Sequence, residues 1–497
     1  QPPEVAAERV RELWLAQRDQ EDGCATAAQA LLASGHLRDA VVWQRARLMM
    51  EANRLRGASQ AVGLLNTEWA QMVESIGTNP TRYLDEKITA LRPRTKELVT
   101  LALIRLAAQD PAAAAEETDH LRWRAQLTAE ERAWVWGHRS DEHLAWMARA
   151  GLRAGRWDAV RDAIYAMGPA QRGETGWVYW RARAIETLQQ PDATVARAQA
   201  RALYESIASP RDFHGMLAME ALGLPITASA TPEPLSADER RAAEANPGLR
   251  RAIAAIRLGL RGEGSREWTY QVALHQPGGM PDRELLAAAD LACREQLWDR
   301  CINTSLRTRE LVDMAQRFPT PYRDLVVARA REIGLDPSYV YGLIRQESRF
   351  VTDARSHVGA SGLMQVMPAT ARWTARKIGL DNFRPQQITD QETNIQIGTA
   401  YLKFALDDFE GSMPLAAAAY NAGPSRARQW RNGPVLPGEV WAENIPFEET
   451  RDYVQKVLTN ATLYAALLSG QPQSLRSRLG EVGPRSATAG ADNTDLP

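Results

Sequence analysis

The sequence predicts an all-α protein: an N-terminal helical solenoid, a helical linker domain and a C-terminal domain that is also mostly helical. Up to Leu222, apolar residues recur at steps of three and four, and runs that alternate with period two are nearly absent. A repeat of helical segments lies within this region. The 497 residues are enough for about three domains.

The repeat consists of three segments with equal spacing. "WMARAGLRAG" begins at Trp146, "WRARAIETLQ" at Trp180 and "HGMLAMEALG" at His214, so each begins 34 residues after the one before. A period of about 34 residues is typical of tetratricopeptide-like helix pairs. Ordinary helical hairpins with chance spacing are the alternative. We predict an α-superhelical domain over residues 1–225.

A change of composition marks the end of the solenoid. Residues 224–248, "LPITASATPEPLSADERRAAEANPG", concentrate proline, serine and threonine, and helical patterns resume from about Ala237. We predict a helical linker domain over 226–317 and a further domain over 318–470. The sequence after Gly470 is poor in apolar residues, which predicts a flexible tail over 471–497.

Composition excludes several classes of protein. Sixty basic and 61 acidic residues give a net charge of −1, which argues against a nucleic-acid partner. Cys24, Cys293 and Cys301 have no metal-ligand spacing, so no metal is predicted. On one continuous helix, Cys293 and Cys301 would be about 12 Å apart, too far for a disulfide. No segment approaches the length of a transmembrane helix.

A helix that begins at Asp336 and Pro337 carries an unusual acid. Asp336 is a capping acceptor and Pro337 suits the first helical position. From Val340 the apolar residues take the i, i+3 and i+4 positions, and Glu347 takes i+7 on the same face. Desolvation should raise its pKa and keep it protonated, as a general acid for glycosidic cleavage requires. A salt-bridge or capping role is the usual alternative.

Four motifs occur in order in this part of the chain: "QESRF", "SHVGASGLMQVMP", "AYNAGPSRARQW" and "ENIPFEETRDYV". With them the chain closely resembles, over about residues 320 to 465, the soluble lytic transglycosylases, bacterial enzymes that cleave the glycan strands of peptidoglycan. His357 stands where proline is common in that family, at a variable position. The resemblance implies a superhelical N-terminal domain, a linker domain and a lysozyme-like, mostly α-helical catalytic domain.

The resemblance also implies roles for single residues. Glu347 matches the family's single catalytic acid/base, and Ser356 matches a serine that contacts the sugar. Together with the glycine-rich turn, the matching positions give a substrate-binding set: Ser356, Gly359, Gln365, Met367, Tyr420, Asn421 and Glu449.

The chemistry of these residue types agrees with such roles. Gly359 and Gly362 permit a tight turn that a ligand can approach closely, and amide and hydroxyl groups can bond sugar hydroxyl and N-acetyl groups. Each residue also has a structural interpretation. The glycines can serve the turn alone, Asn421 can cap a helix, Met367 can belong to the core, and Glu449 can be a first-turn helix charge.

We therefore expect a peptidoglycan lytic transglycosylase that cleaves the β-1,4 bond between N-acetylmuramic acid and N-acetylglucosamine and forms a 1,6-anhydromuramoyl product. A muramidase of the same fold, which needs a second carboxylate, is one alternative. A scaffold that only binds glycan is another. No cofactor is predicted. Enzymes of cell-wall synthesis or remodelling are expected as further partners, and the expected location is the periplasm, with a signal peptide already removed.

Overall fold

The computed structural model describes residues 3–17, 22–51, 53–87, 93–109, 141–189, 192–228, 231–486, 493 and 495–497. Across these residues the chain is helical apart from loops and two strands of two residues each. The all-α prediction is therefore confirmed. No helix in these ranges is both long and apolar enough to cross a membrane.

The chain divides into two compact units, and the first contains the described residues up to Ile207 together with Glu439–Arg451. Its N-terminal helices are α1 Pro3–Ala16, α2 Asp22–Ala33, α3 Asp39–Glu51, α4 Leu55–Gly63, α5 Thr67–Thr78, α6 Pro80–Lys87, α7 Pro93–Gln109, α8 Asp141–Arg153, α9 Trp157–Ala166, α10 Pro169–Arg172, α11 Thr175–Leu188 and α12 Ala193–Ile207.

Consecutive helices of the first unit pack as hairpins, and two of the three repeat segments lie on them, while the segment from His214 belongs to the second unit. Trp146 lies on α8, which packs on α9, and Trp180 lies on α11, which packs on α12. Both tryptophans are buried. They occupy equivalent positions on the first helix of successive pairs, because bulky residues there fill the space between neighbouring helices.

The second unit contains Ala208–Gly438 and the described residues from Asp452 onward. Two of the helices that follow, α26 and α27, lie partly in Glu439–Arg451 and so belong in part to the first unit. In chain order the elements are α13 Phe213–Ala221, α14 Ala237–Ala245, α15 Pro247–Arg257, α16 Arg261–Ala273, α17 Asp282–Arg294, α18 Trp298–Ser305, α19 Met314–Arg317, α20 Arg323–Glu332, α21 Pro337–Glu347, α22 Pro368–Lys377, a 3-10 helix Pro385–Thr389, α23 Gln391–Asp408, α24 Met413–Ala422, α25 Pro424–Trp430, β1 Leu436–Pro437, α26 Gly438–Glu443, α27 Glu448–Ser469, α28 Leu475–Leu479 and β2 Glu481–Val482.

The segment Glu439–Arg451 is held in the first unit by a buried ion pair. Arg149 Nε donates to Glu443 Oε1 at 3.0 Å, and Trp180 Nε1 donates to Glu443 Oε2 at 3.3 Å. The guanidinium group of Arg149 also lies over the rings of Trp146 and Trp177. The buried carboxylate therefore has a partner on each oxygen, as a buried charge requires. The predicted domain boundaries at 225, 317 and 470 stay predictions.

Two cysteines of the linker region are joined in a disulfide. Cys293 on α17 and Cys301 on α18 have Cα atoms 5.1 Å apart. The predicted separation of about 12 Å assumed one continuous helix, and that assumption is wrong. Gln296, with φ of 57°, adopts the left-handed conformation between the two helices and reverses the chain.

The segment after Gly470 is ordered where the structure describes it up to residue 486. α28 buries Leu475 and Leu479, and Val482 of β2 pairs antiparallel with Leu436 of β1. The prediction of a flexible tail is wrong for these residues, because the few apolar side chains of the segment are all used in packing. Residues 487–492 and 494, which belong to the same prediction, lie outside the described part of the chain.

Candidate active site

Helix α21, which carries the predicted acid, begins as its sequence predicts. The Asp336 side chain accepts a hydrogen bond from Ser338 N at 2.8 Å, Pro337 occupies the first turn, and Arg478 Nη1 lies 2.7 Å from the other Asp336 oxygen. Val340 and Ile344 are fully buried. The start of the helix is thus fixed by a cap and an ion pair, and its apolar face by the core.

α21 packs backbone to backbone against the part of α27 that lies in the second unit. A Cβ atom on Gly342 would lie 2.7 Å from Ala461 N and 2.8 Å from Val457 O, closer than side-chain atoms approach one another. Only glycine allows this approach. The close contact brings Tyr453, earlier on α27, beside the end of α21.

Tyr453 holds the predicted acid directly. Its hydroxyl donates to Glu347 Oε1 at 2.5 Å, and the tyrosine itself is buried. Burial of the Glu347 carboxyl raises its pKa to about 7, while the bond from Tyr453 acts in the opposite direction. A carboxyl with this pKa is partly protonated at neutral pH and can both donate and accept a proton.

Tyr420 holds the loop that follows Glu347. Its hydroxyl donates to the backbone oxygen of Met364 at 2.8 Å. Burial, and then the charge of Glu347, raise the pKa values of Tyr420 and Tyr453 well above the usual value for tyrosine. Both phenols stay protonated as hydrogen-bond donors, one on the acid and one on the loop that follows it.

The chain leaves α21 in an irregular turn that begins the glycine-rich loop. Arg349 and Phe350 have φ of 48° and 66°, which ends the helix immediately after Glu347. Ser348 Oγ donates to the backbone oxygen of Leu363 at 2.7 Å and so ties the helix end to the far side of the loop. The position of Glu347 is therefore fixed from both directions along the chain.

Ser356 closes the first half of this loop. Its Oγ accepts from Ala360 N at 3.0 Å, and its own backbone N donates to Ala360 O at 2.9 Å. Gly359 within this turn has φ of 91°, and nothing lies within 4 Å of the position a Cβ would occupy. The turn requires glycine for its backbone conformation, while the space beside it is open to a ligand.

Gln365 supports the second half of the loop. Its side-chain Nε2 donates to Ala354 O at 3.0 Å and to Gly362 O at 2.8 Å. Gly362 has φ of 81°, and a Cβ there would collide with Asn394 Nδ2 at 2.1 Å. Asn394 is fully buried and accepts from Met364 N at 2.8 Å. Both amide protons of Gln365 are therefore used in the loop, which leaves its carbonyl oxygen as the acceptor.

Three other predicted residues have different degrees of exposure. Met367 is 40% exposed and precedes α22. Asn421, near the end of α24, is half-buried. Glu449 is exposed on the first turn of α27, in the segment that belongs to the first unit. Their roles toward a ligand stay predictions. The described residues contain no group of three or more histidine, cysteine or acidic side chains that could hold a metal ion.

Two known protein families match parts of this chain. The family described as "Transglycosylase SLT domain" matches residues 324–434, and "Soluble lytic transglycosylase helical domain" matches residues 444–473. The soluble lytic murein transglycosylases of Salmonella typhimurium (strain LT2) and Escherichia coli (strain K12) are 26% and 27% identical to this chain. The alignments cover 95% and 94% of this chain and 76% of each relative.

A solved structure gives a closer match. The X-ray structure of an inactive mutant of the lytic transglycosylase Slt from Pseudomonas aeruginosa is 31% identical, with a TM-score of 0.66, over 94% of this chain and 79% of that one. The chain belongs to the soluble lytic transglycosylase family. It is therefore an enzyme, and the predicted fold class and family are both confirmed.

The transglycosylase contains site residues that the sequence reasoning did not single out. Tyr453 lies in the quoted "ETRDYV" segment, but its contact with Glu347 spans 106 positions. Asn394 occurs in "TNIQIG", which has no helical or glycine signal of a loop support. The sequence could have indicated both residues, because each is a polar side chain on an otherwise apolar helix face, and a buried polar side chain must find a hydrogen-bond partner.

Proposed function

We propose that this lytic transglycosylase cleaves the β-1,4 bond between N-acetylmuramic acid and N-acetylglucosamine in peptidoglycan, with Glu347 as the single acid and base. One observation carries the proposal. Glu347 lies at the end of α21, has a pKa raised to about 7 by burial, and is held by Tyr453 at 2.5 Å. The murein named for the relatives from S. typhimurium and E. coli supports the choice of substrate.

In the first step, protonated Glu347 gives its proton to the glycosidic oxygen. The bond from the muramoyl anomeric carbon to that oxygen breaks, and N-acetylglucosamine leaves with a free hydroxyl. A general acid works best with a pKa near the working pH, because it is then protonated often enough and still gives up its proton readily. A pKa of about 7 meets both conditions at neutral pH.

In the second step, the Glu347 carboxylate accepts the proton of the muramoyl C6 hydroxyl while that oxygen bonds to the anomeric carbon. A 1,6-anhydro ring forms, the acid regains its proton, and no water is consumed. The nucleophile is part of the substrate, so its attack gains the high effective concentration of an oriented intramolecular group. One carboxyl is then sufficient, whereas hydrolysis by this type of enzyme uses two.

The tyrosines orient the acid in both steps. The Tyr453 hydroxyl holds one oxygen of Glu347 in place, which leaves the other free to face the substrate. Tyr420 holds the Met364 carbonyl on the loop that follows the acid. The burial of the carboxyl keeps its pKa high.

For substrate binding we propose the open turn at Gly359 with Ser356, and the carbonyl oxygen of Gln365 as an acceptor for a sugar hydroxyl or N-acetyl N–H group. Met367 is exposed enough to pack on a sugar face. The half-buried Asn421 and the exposed Glu449 complete the proposed set.

We place this chemistry in the periplasm. The Cys293–Cys301 disulfide supports that location, because disulfides persist in oxidising compartments such as the bacterial periplasm and are rare in the cytosol. The test is the redox state of the two cysteines, measured by thiol labelling of protein trapped with acid in intact cells. Reduced cysteines in those cells would contradict the location.

The reaction is tested by mass spectrometry of peptidoglycan digested with the full chain. We expect muropeptides that end in 1,6-anhydromuramic acid, lighter by one water than the reducing ends that a hydrolase leaves. Glu347→Gln should bind glycan but lose roughly a thousandfold or more in turnover, because one group serves two proton transfers. Glu481→Gln, an exposed glutamate on β2, is the matched control. Reducing ends alone would identify a muramidase, and binding without turnover a scaffold.

A further inference from the structure

The last described residues of the chain fold back onto the second unit. Leu496 is only 6% exposed and packs in an aromatic cluster with Trp373 of α22 and Tyr401 of α23. The half-buried rings of Phe404 and Tyr420 border the same cluster. A leucine in this position removes water from aromatic rings of three helices at once, since Tyr420 belongs to α24.

Hydrogen bonds hold the backbone of this segment in place. The Tyr401 hydroxyl donates to Pro497 O at 3.1 Å, and Arg428 Nη2 donates to Asn493 O at 2.7 Å. Asn493 N donates to Asp408 Oδ1 at 2.8 Å. The carboxylate of Asp408 is itself nearly inaccessible to solvent. The segment therefore supplies a hydrogen-bond donor to the buried carboxylate of Asp408.

An ion pair adds to these contacts on the side of α22. Asp495 lies 2.8 Å from Lys377 Nζ, and the pKa of Asp495 is lowered chiefly by that partner. Both side chains are largely exposed, so the pair orients the segment more than it stabilises it. Backbone hydrogen bonds at Asn493 and Pro497 hold the segment before and after Leu496, and the pair at Asp495 adds a contact directly before it.

The cluster leads to the active site through Tyr420. The rings of Tyr401 and Tyr420 have centroids 5.4 Å apart, and the Tyr420 hydroxyl holds Met364 O at 2.8 Å. The charge of Glu347 contributes to the raised pKa of Tyr420. The loop that Tyr420 holds is also tied to the end of α21, because Ser348 Oγ donates to Leu363 O at 2.7 Å. Leu496 and Tyr401 thus support one side of a ring whose hydroxyl holds the loop that follows Glu347.

We propose that Leu496 is a positioning residue for the reaction: it holds Tyr401 against Tyr420 and so fixes the ring that holds the loop after Glu347. The proposal rests on the proposed function of Glu347. It assigns to the C-terminal segment a supporting role for the acid, through contacts that involve no substrate.

The effect should appear at the acid. Two titratable side chains interact with Glu347. Tyr453 from α27 bonds its carboxyl, and Tyr420 from α24 has a pKa raised in part by the charge of Glu347. If Leu496 is shortened, Tyr420 gains freedom and water reaches the carboxyl more easily. Less desolvation lowers the pKa of Glu347 toward its ordinary value, so the protonated acid is lost at lower pH. The alkaline limb of the rate profile should move to lower pH.

The test compares Leu496→Ala with Leu258→Ala in the full chain. Leu258 is 78% exposed, so its truncation controls for loss of a leucine. We expect Leu496→Ala to lower kcat about tenfold with little change in KM, because loss of orientation acts on the chemical step. Its alkaline limb should shift down, and Leu258→Ala should match the wild type. Tyr401→Phe, which removes only the hydroxyl bond to Pro497, should give a smaller shift in the same direction.

Hydrogen exchange separates this proposal from the proposed function. In Leu496→Ala, the amides of Met364 and Gln365 should exchange faster than in the wild type, whether or not the protein turns over glycan. Wild-type kcat, pH profile and exchange in Leu496→Ala would overturn the positioning role. Higher activity than the wild type would also overturn it, because the segment would then obstruct the site. An inactive wild type with faster exchange in the variant would retain the packing role and reject the catalytic function of Glu347.

Discussion

Replacing Glu347 by glutamine should stabilise the folded protein at alkaline pH and have little effect near about pH 4.5. The folded pKa of about 7 lies above the ordinary value of 4.5. Between these values the folded state binds more protons than the unfolded state, so stability falls as pH rises. At about 1.4 kcal/mol per pKa unit, the ionised carboxylate destabilises the fold by at most about 3 kcal/mol.

Glutamine removes this cost while its amide oxygen can still accept the bond from Tyr453. The carboxyl is half-buried, so solvent screening reduces the gain to about 1–3 kcal/mol. For a unit as large as the second one, which contains Glu347, this gain corresponds to a rise in Tm of roughly 2–6 °C at pH 8. Thermal unfolding of the full chain at several pH values measures it, with Glu481→Gln as the control at an exposed position.

The dependence on pH is the decisive part of this experiment. A difference in Tm that is the same at about pH 4.5 and about pH 8 would mean that the carboxyl titrates normally. A variant less stable than the wild type at pH 8 would refute the desolvated carboxyl directly, since it would show that the charge has a favourable partner.

Three further substitutions test the packing around the acid. Tyr453→Phe removes the bond that lowers the pKa of the acid, so the alkaline limb of kcat/KM should move up by about one pH unit; an unchanged limb contradicts this. Gly342→Ala forces α21 from α27 and should destabilise by about 1–3 kcal/mol in thermal unfolding, whereas Gly262→Ala, whose Cβ would meet only Arg266 Nη1 at 3.8 Å, should not. Gly362→Ala adds a steric collision to backbone strain and should cost more stability than Gly359→Ala, which adds strain of about 1 kcal/mol alone; equal losses would argue against the collision.

The sequence predicts the elements that depend on local patterns. The cap at Asp336, the apolar face of α21 and the raised pKa of Glu347 all follow from residues within one helix, and the structure has each of them. The bond between Glu347 and Tyr453 could not be predicted in this way, because it depends on which turn of α27 meets α21. That register is fixed by the close approach at Gly342.

Other differences between the predicted and the observed structure also depend on features that local sequence patterns do not indicate. The amide of Gln365 was predicted to face a sugar, but the structure uses its two protons on loop carbonyls. Cys293 and Cys301 meet because Gln296 adopts a left-handed conformation that its residue type does not predict. Leu496 follows a polar stretch that predicts disorder, yet it is buried by contacts with residues far away in sequence.

The placement of Glu439–Arg451 in the first unit has a consequence for protein engineering. The segment lies within the C-terminal half of the gene, yet its Glu443 bonds Arg149 and Trp180. A chimera that exchanges only the N-terminal region with a relative would therefore pair this acid with foreign residues and leave a buried charge without its partners. Chimeras between family members should fold more often when Glu439–Arg451 and the N-terminal region that it packs against come from the same parent. Each compact unit is therefore encoded by two separate stretches of sequence.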